Sequence, residues 1–275
     1  MGKTEAALER HHWNTSFVWE DRKGPFRRVT DDQAAQFDRD GYIVIEDLID
    51  AATLAAVTER TDRFEASVEA FLKTQPNERM EIAESGALTF TPHIASRSKV
   101  LRALVSSAPL TDLCADLIGP DVNLYWDQAV YKKPEKPRRF PWHQDNGYTF
   151  IEPQQYLTVW LALTDATLDN GCPRVAPGLH KHGTLAHHYV EPLGFECFAE
   201  PPGEVQAAAP VKAGGAVVFS SLMPHLTGPN LTDEVRKAYI VQYAPAGAYT
   251  RSNDGNVPCD DPDRQFPVLR DGVRL

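Results

Sequence analysis

The sequence predicts an all-β core, a sandwich or barrel, with helices packed against its outside. Three observations carry that expectation. Past Gly119, residues 122–131, 157–163, 215–220 and 238–243 are short runs rich in β-branched and aromatic residues, separated by clusters of Pro, Gly, Asp and Asn. Before Gly119 the apolar spacing is mainly helical. The 275 residues are 42% hydrophobic and 24% charged, the balance of a globular chain long enough to bury one large core. No internal repeat, low-complexity tract or linker divides it, so residues 30–275 are expected to form one domain, preceded by an extension over residues 1–29.

In chain order, Thr30 and Gln33 open a short helix that carries Ala34, Ala35 and Phe37 on one face and ends at Gly41. Tyr42, Ile43, Val44 and Ile45 follow as a strand, and Asp50 caps an amphipathic helix running to about Leu72. Residues 73–92 show no clear period, whereas residues 99–117 read as one helix closed by Gly119 and Pro120. The β-rich runs come next. Between the second and third of them, residues 164–210 are dense in Gly and Pro and read as loop, the kind of segment that carries function on a rigid scaffold.

Charge and cysteine usage narrow the function. Lys plus Arg total 28 against 38 Asp plus Glu, a formal charge of -10; such a surface repels phosphate backbones and anionic lipid, so neither nucleic acid nor membrane is an expected partner. Cys114, Cys172, Cys197 and Cys259 form no CxxC and no disulfide framework. Glu5, Glu9 and Arg10 interrupt the N-terminus where a secretory signal needs an apolar stretch, and no run approaches the length of a membrane span. A cytoplasmic protein is the expectation.

His143 and Asp145, two apart in PWHQDNGY, would share one face of a strand and could offer an imidazole and a carboxylate to one metal. A surface strand end where the two merely hydrogen-bond is the competing reading. His225 supplies context, because it follows the apolar run 214–219 and precedes a Gly-Pro turn. Two His and one carboxylate make the facial triad that suits non-haem Fe(II) and leaves positions for a chelating cosubstrate and dioxygen, whereas zinc favours closed or three-His sites. Arg236, at the head of the next strand, could grip a carboxylate bidentately, or could be an ordinary surface charge.

These residues and their surroundings resemble the phytanoyl-CoA dioxygenase family of Fe(II)- and 2-oxoglutarate-dependent oxygenases. The segments that carry the resemblance are FDRDGYIVIEDLID, LIGPDVNLYWDQAVYKKP, PWHQDNGY, LTVWLALTDATLDNGCPRVAPGLHKHG and GGAVVFSSLMPHLTGPNLTDEVRKAYIVQY, in the family's order over about residues 30–250. The resemblance implies a double-stranded β-helix (jelly-roll, cupin-like) in which His143, Asp145 and His225 bind iron. It implies that Arg236 pairs with the distal carboxylate of 2-oxoglutarate, that Thr227 touches it, and that Trp160 and Gln128 line the same pocket. It also implies hydroxylation of a small organic molecule with O2, releasing succinate and CO2. Related halogenating enzymes lack the carboxylate that Asp145 supplies, so hydroxylation is expected over halogenation. A metal-binding β-barrel without turnover and a zinc-dependent hydrolase or isomerase remain as alternatives; the cosubstrate anchor Arg236 and the lack of an evident base weigh against them.

The sequence departs from that family pattern in two places. ALTFTPHIAS lacks the Lys that relatives use to reach 2-oxoglutarate, which leaves His93 or Thr91 as substitutes, and Leu179 replaces a Ser close to the expected pocket. His180, His182, His187 and His188 form a rival metal cluster by spacing, but loop histidines in solvent are the blander reading. His11 and His12 are expected in an exposed extension. Lys132, Lys133, Lys136, Arg138 and Arg139 are a basic run, either steering an anionic substrate or simply solvated. Trp126, Trp142 and Tyr148 could shape a pocket or belong to the core.

Overall fold

Thr30 caps the first helix, α1 (Asp31–Asp40), with the reciprocal Thr30–Gln33 bonds of a capping box. Gly41 closes it at φ 83°, donating its N–H to the Phe37 carbonyl, a left-handed position that glycine occupies without strain. That turn sends the chain into β1 (Tyr42–Ile45), and Asp50 then caps α2 (Ala51–Leu72). In the computed structural model, residues 8–134, 140–191 and 193–275 are described.

The stretch without clear period contains three strands, β2 (Arg79–Met80), β3 (Ala83–Glu84) and β4 (Leu88–Pro92). β2 and β3 are too short to show alternation, and β4 buries Leu88 and Thr89 in succession, so neither template fits. The helix expected over 99–117 is two, α3 (Lys99–Val105) and α4 (Ala108–Leu117). Pro109 explains the break: in a continuous helix its ring would meet the Val105 carbonyl, whereas in the first turn of α4 its missing N–H costs nothing. The Val105 carbonyl accepts instead from the Tyr243 hydroxyl at 2.7 Å.

The remaining chain is mostly strand. It runs through β5 (Val122–Lys132), the short helix α5 (Asp145–Tyr148), β6 (Ile151–Glu152), β7 (Leu157–Ala162) and β8 (Pro173–Val175). The loop-like segment holds the two-stranded ribbon β9 (His188–Val190) and β10 (Gly194–Glu196), then β11 (Ala207–Ala208). β12 (Ala216–Ser220), β13 (His225–Thr227), β14 (Arg236–Pro245), β15 (Tyr249–Ser252), β16 (Gly255–Pro258), β17 (Phe266–Arg270) and β18 (Val273–Arg274) complete it.

The main sheet has the order β1-β12-β7-β14-β5-β4-β3-β2, with β17 also on β5, and a second sheet has the order β11-β8-β13. All of these pairings are antiparallel. The main sheet is covered on both faces, which is why its central strands read as nearly continuous apolar runs. One face, with Tyr239, Val241 and Tyr243, packs with Val57, Leu101 and Leu113 of the helices. The other, with Trp160, Ala162, Val217, Phe219 and Ala238, packs with Cys172, Val175 and Met223 from the second sheet and its approaches. Two antiparallel sheets enclosing that inner cluster make a double-stranded β-helix with helical support, the all-β core with outer helices read from the residues and the particular fold implied by the family resemblance.

Residues 8–29 lie against this body. The His11 N–H donates to the Thr184 carbonyl at 3.0 Å, Asn14 is buried, and Trp19 packs edge-on against His180. His11 is half-buried, its ring stacked on Phe150, while His12 is exposed as expected. No helix among the described residues is long and apolar enough to cross a membrane.

Candidate active site

The two histidines meet through backbone pairing. His143 and His225 form an isolated antiparallel bridge, His143 N–H to His225 carbonyl at 3.1 Å and His225 N–H to His143 carbonyl at 2.8 Å, just where β13 begins. Each ring donates Nδ1–H to a carbonyl two residues back, His143 to Pro141 at 3.1 Å and His225 to Met223 at 3.0 Å. A carbonyl only accepts, so the proton sits on Nδ1 and each Nε2 presents its lone pair, the arrangement an outer partner imposes on a metal-ligating imidazole. Burial, reinforced by the neighbouring His225, holds His143 well below the usual imidazole range and keeps it neutral.

Asp145 joins them, although not along a continuous strand. His143 lies in the bridge and Asp145 is the first residue of α5, so the i, i+2 face expected of a strand is produced by a strand end followed by a helical turn. Asp145 Oδ1 is 3.8 Å from His225 Nε2, and Oδ2 accepts a short hydrogen bond from the Thr158 hydroxyl. Ligand atoms of His143, Asp145 and His225 all lie within 4.8 Å of one another, close enough for one cation to gather.

Gln144, between two of these residues, is fully buried. Its side chain donates to the carbonyls of Gly183 (3.0 Å) and Leu222 (2.6 Å) and accepts from Leu185 N–H (2.6 Å). Its backbone N–H donates to His187 Nε2 at 2.9 Å, and His187 returns Nδ1–H to the Leu185 carbonyl. Burial pushes His187 down to about 4, as this neutral accepting role requires. At Gly147 an added Cβ would stand 2.0 Å from the His187 ring, so only glycine admits the imidazole there. The network continues outward: Asn146 donates to the Thr184 hydroxyl (2.6 Å), Gln154 accepts from Thr184, and Asn14 donates to the carbonyls of His182 and Thr184 (each 2.8 Å).

The loop histidines therefore correct the expectation of solvated side chains. His187 is locked behind the metal loop, and His180 is fully buried against Trp19 and the Asp38 carbonyl. His182 and His188 are exposed. Among the described residues none of them joins a three-ligand group.

The other expected residues line the inner face. Gln128, Ile240, Trp160 and Val217 stand side by side across β5, β14, β7 and β12. Arg236, the first residue of β14, is buried at 1% exposure, donates Nη1–H to the Gly171 carbonyl at 2.9 Å and lies 5.0 Å over the Trp160 ring. Thr227 is on β13 with His225, two residues apart and on the same side. Sequence reasoning misplaced Lys132 in a solvated run. It is 1% exposed, pairs directly with Arg236 across the sheet, and donates to the Thr227 hydroxyl at 3.2 Å and the Gly228 carbonyl at 2.6 Å. Strand parity would have found it, since Gln128 and Lys132 are four apart on β5 and must face the same way.

Lys133 pairs with Glu65 and Glu69 on α2, whereas Lys136, Arg138 and Arg139 lie outside the described residues. Thr91 pairs with Ala129 on the helix-covered face and is no substitute for a cosubstrate lysine; His93 packs against Trp126, at the far end of β5 from Lys132. Leu179 sits in a turn whose Gly178 N–H is held by Asp40 at the end of α1. Trp142 is buried, while Tyr148 is exposed with its ring 5.1 Å from that of His143.

An inner face with two imidazoles and a carboxylate near two buried cations can hold a divalent metal and a dianionic chelator together. Comparison with known proteins agrees. The chain is 29% identical over 236 residues to the ectoine dioxygenase of Sphingopyxis alaskensis, covering 77% of this chain and 75% of the relative. The solved structure of EctD from S. alaskensis superposes with a TM-score of 0.70 at 23% identity, covering 90% of this chain and 87% of that one. The epimerase SnoN, solved with Fe3+, alpha ketoglutarate and nogalamycin RO, superposes at 0.62 and 23% identity, covering 89% and 94%. The model of the phytanoyl-CoA dioxygenase (PhyH) family matches residues 37–238, and the chain belongs to that family of Fe(II)- and 2-oxoglutarate-dependent dioxygenases, which use O2.

Proposed function

We propose that this enzyme hydroxylates an unactivated carbon of a small organic molecule in the cytoplasm, with His143, Asp145 and His225 as iron ligands and Arg236, Lys132 and Thr227 receiving the distal carboxylate of 2-oxoglutarate. The observation that carries this reading is the triad together with a buried cationic end, linked through β13, where Thr227 accepts from Lys132 two residues from His225. A metal site that only bound its ion, or a zinc hydrolase, has no use for two buried cations beside Thr227, two residues from His225. The free thiols of Cys114, Cys172, Cys197 and Cys259 suit a reducing compartment.

When bound, iron(II) supplies the oxidising power by coupling O2 reduction to decarboxylation of 2-oxoglutarate, so that R–H, O2 and 2-oxoglutarate become R–OH, succinate and CO2. The residues do the rest. The Nδ1 bonds to Pro141 and Met223 aim both imidazoles. Thr158 holds one carboxylate oxygen of Asp145 and leaves the other turned toward His225. By occupying a ligand position with a carboxylate, Asp145 excludes a halide from it, which favours oxygen transfer over halogenation. Arg236 and Lys132 orient the cosubstrate by charge, and the apolar wall of Trp160, Val217 and Phe219 keeps water from the inner face.

Anaerobic titration of the metal-free protein with Fe(II) and then 2-oxoglutarate tests this. A saturable visible charge-transfer band is expected. Iron binding without such a band would sink the cosubstrate assignment.

A further inference from the structure

Three exposed aromatic side chains extend outward from the metal ligands. Tyr148 is 49% exposed, Phe195 41% and Tyr189 61%. They form a ladder of edge-on contacts: His143 to Tyr148 at 5.1 Å, Tyr148 to Phe195 at 6.0 Å and 86°, and Phe195 to Tyr189 at 5.6 Å and 79°. Tyr189 and Phe195 are direct cross-strand partners in the β9–β10 ribbon and so project from the same side of it.

The ribbon is not a loose appendage. At its start His187 is bonded to Gln144 of the metal loop, and at its end the Cys197 N–H donates to the Trp142 carbonyl at 2.8 Å, with Trp142 and Phe198 bridged. Both ends are thus stapled to the segment that carries His143. A contiguous apolar patch in such a place marks a ligand site. Edge-on packing leaves ring faces uncovered, and a flat ring covers an aromatic face more fully than a flexible chain does. The ring side of the ribbon carries no charged residue, since His188 and Glu196 are paired on its other side.

We infer that Tyr148, Tyr189 and Phe195 form the platform that receives the substrate, and that the substrate presents an uncharged flat ring system to it. This rests on the oxygenase reading only for what happens next to the iron; the platform itself is a binding claim. The two phenol hydroxyls suit oxygen substituents on that ring.

The test uses the full-length protein, 2-naphthol as ring probe and 1-octanol as chain probe. Equilibrium dialysis is expected to show saturable 2-naphthol binding at least tenfold tighter than that of 1-octanol. Tyr189→Ala combined with Phe195→Ala, both at exposed positions, should weaken it at least tenfold while the Fe(II)–2-oxoglutarate band stays intact. In the unsubstituted protein 2-naphthol should shift that band. Equal affinity for the two probes, no saturable binding, unchanged binding in the double variant, or a band indifferent to 2-naphthol overturns the platform. Absence of the band itself, with ring-selective binding retained, would instead overturn the oxygenase reading and leave the platform standing.

Discussion

The two ends of the site are built by different means. At the cationic end, Arg236 and Lys132 are register partners on adjacent strands and Thr227 lies across from them, so their positions follow from pairing and parity. At the metal end, His143 and Asp145 sit on a strand end and a single helical turn, shapes with little rigidity of their own. Their neighbours Gln144 and Asn146 are bonded to distant segments, through Leu222, Thr184 and His187, with Gln154 and, from beyond the family-matched region, Asn14 behind them. Regular β structure tolerates the loss of one side chain at its surface, whereas a fully satisfied buried polar network does not. The metal end should therefore be sensitive to remote substitutions, and the cationic end only to local ones.

Four substitutions test that contrast. Asp145→Ala has the largest expected effect: it removes a ligand, so Fe(II) affinity should fall by more than the roughly 10–100-fold typical of losing an outer partner, and product formation should vanish while circular dichroism is unchanged. Undiminished iron binding would remove Asp145 from the centre. Arg236→Leu comes next, raising the 2-oxoglutarate concentration at half-saturation by roughly 30–1000-fold through loss of about 2–4 kcal/mol of charge-assisted bonding. Iron content, measured by metal analysis, should not change; its loss would mean that the two ends are not separable.

Thr158→Val keeps the shape and deletes the hydroxyl that holds Asp145. Iron affinity should drop roughly 10–100-fold, the cost of an outer-shell partner, while the cosubstrate concentration dependence at saturating iron stays put. Asn14→Ala is the smallest and the most discriminating. It leaves the His182 carbonyl without its side-chain donor and the Thr184 carbonyl with only the His11 N–H, which should cost about 1–3 kcal/mol of stability in denaturant titration. A weakening of iron binding of a few-fold should accompany it, with no change in 2-oxoglutarate dependence. An equal effect at both ends would show a general loss of packing and erase the contrast.

Much was legible along the chain because it is written in local chemistry. The Thr30 and Asp50 caps and Gly41 bounded α1 and α2, since caps act within a few residues. Runs rich in β-branched and aromatic residues located β5, β7, β12 and β14, because strands covered on both faces are largely apolar. The resemblance in motifs picked out the residues that the fold brings together at the candidate centre. Pro109 was visible too, and its clash with the Val105 carbonyl could have split the helix read over 99–117.

The rest depends on contacts between residues far apart in the chain. Whether His180 and His187 are solvated depends on Trp19 and Gln144, not on the Gly- and Pro-rich loop that contains them. Lys132 became part of the site because β14 places Arg236 opposite it and β13 brings Thr227 within reach. Local chemistry along the chain marked the capped helices, the long strands and the residues able to ligate a metal, because propensity, capping and ligand type belong to each residue, whereas the short strands β2–β4 and the β9–β10 ribbon carry too few residues to show a period. The folded chain decided which polar side chains are buried and what they hold, because burial and hydrogen-bond satisfaction belong to pairs of surfaces that exist only once the sheets have closed.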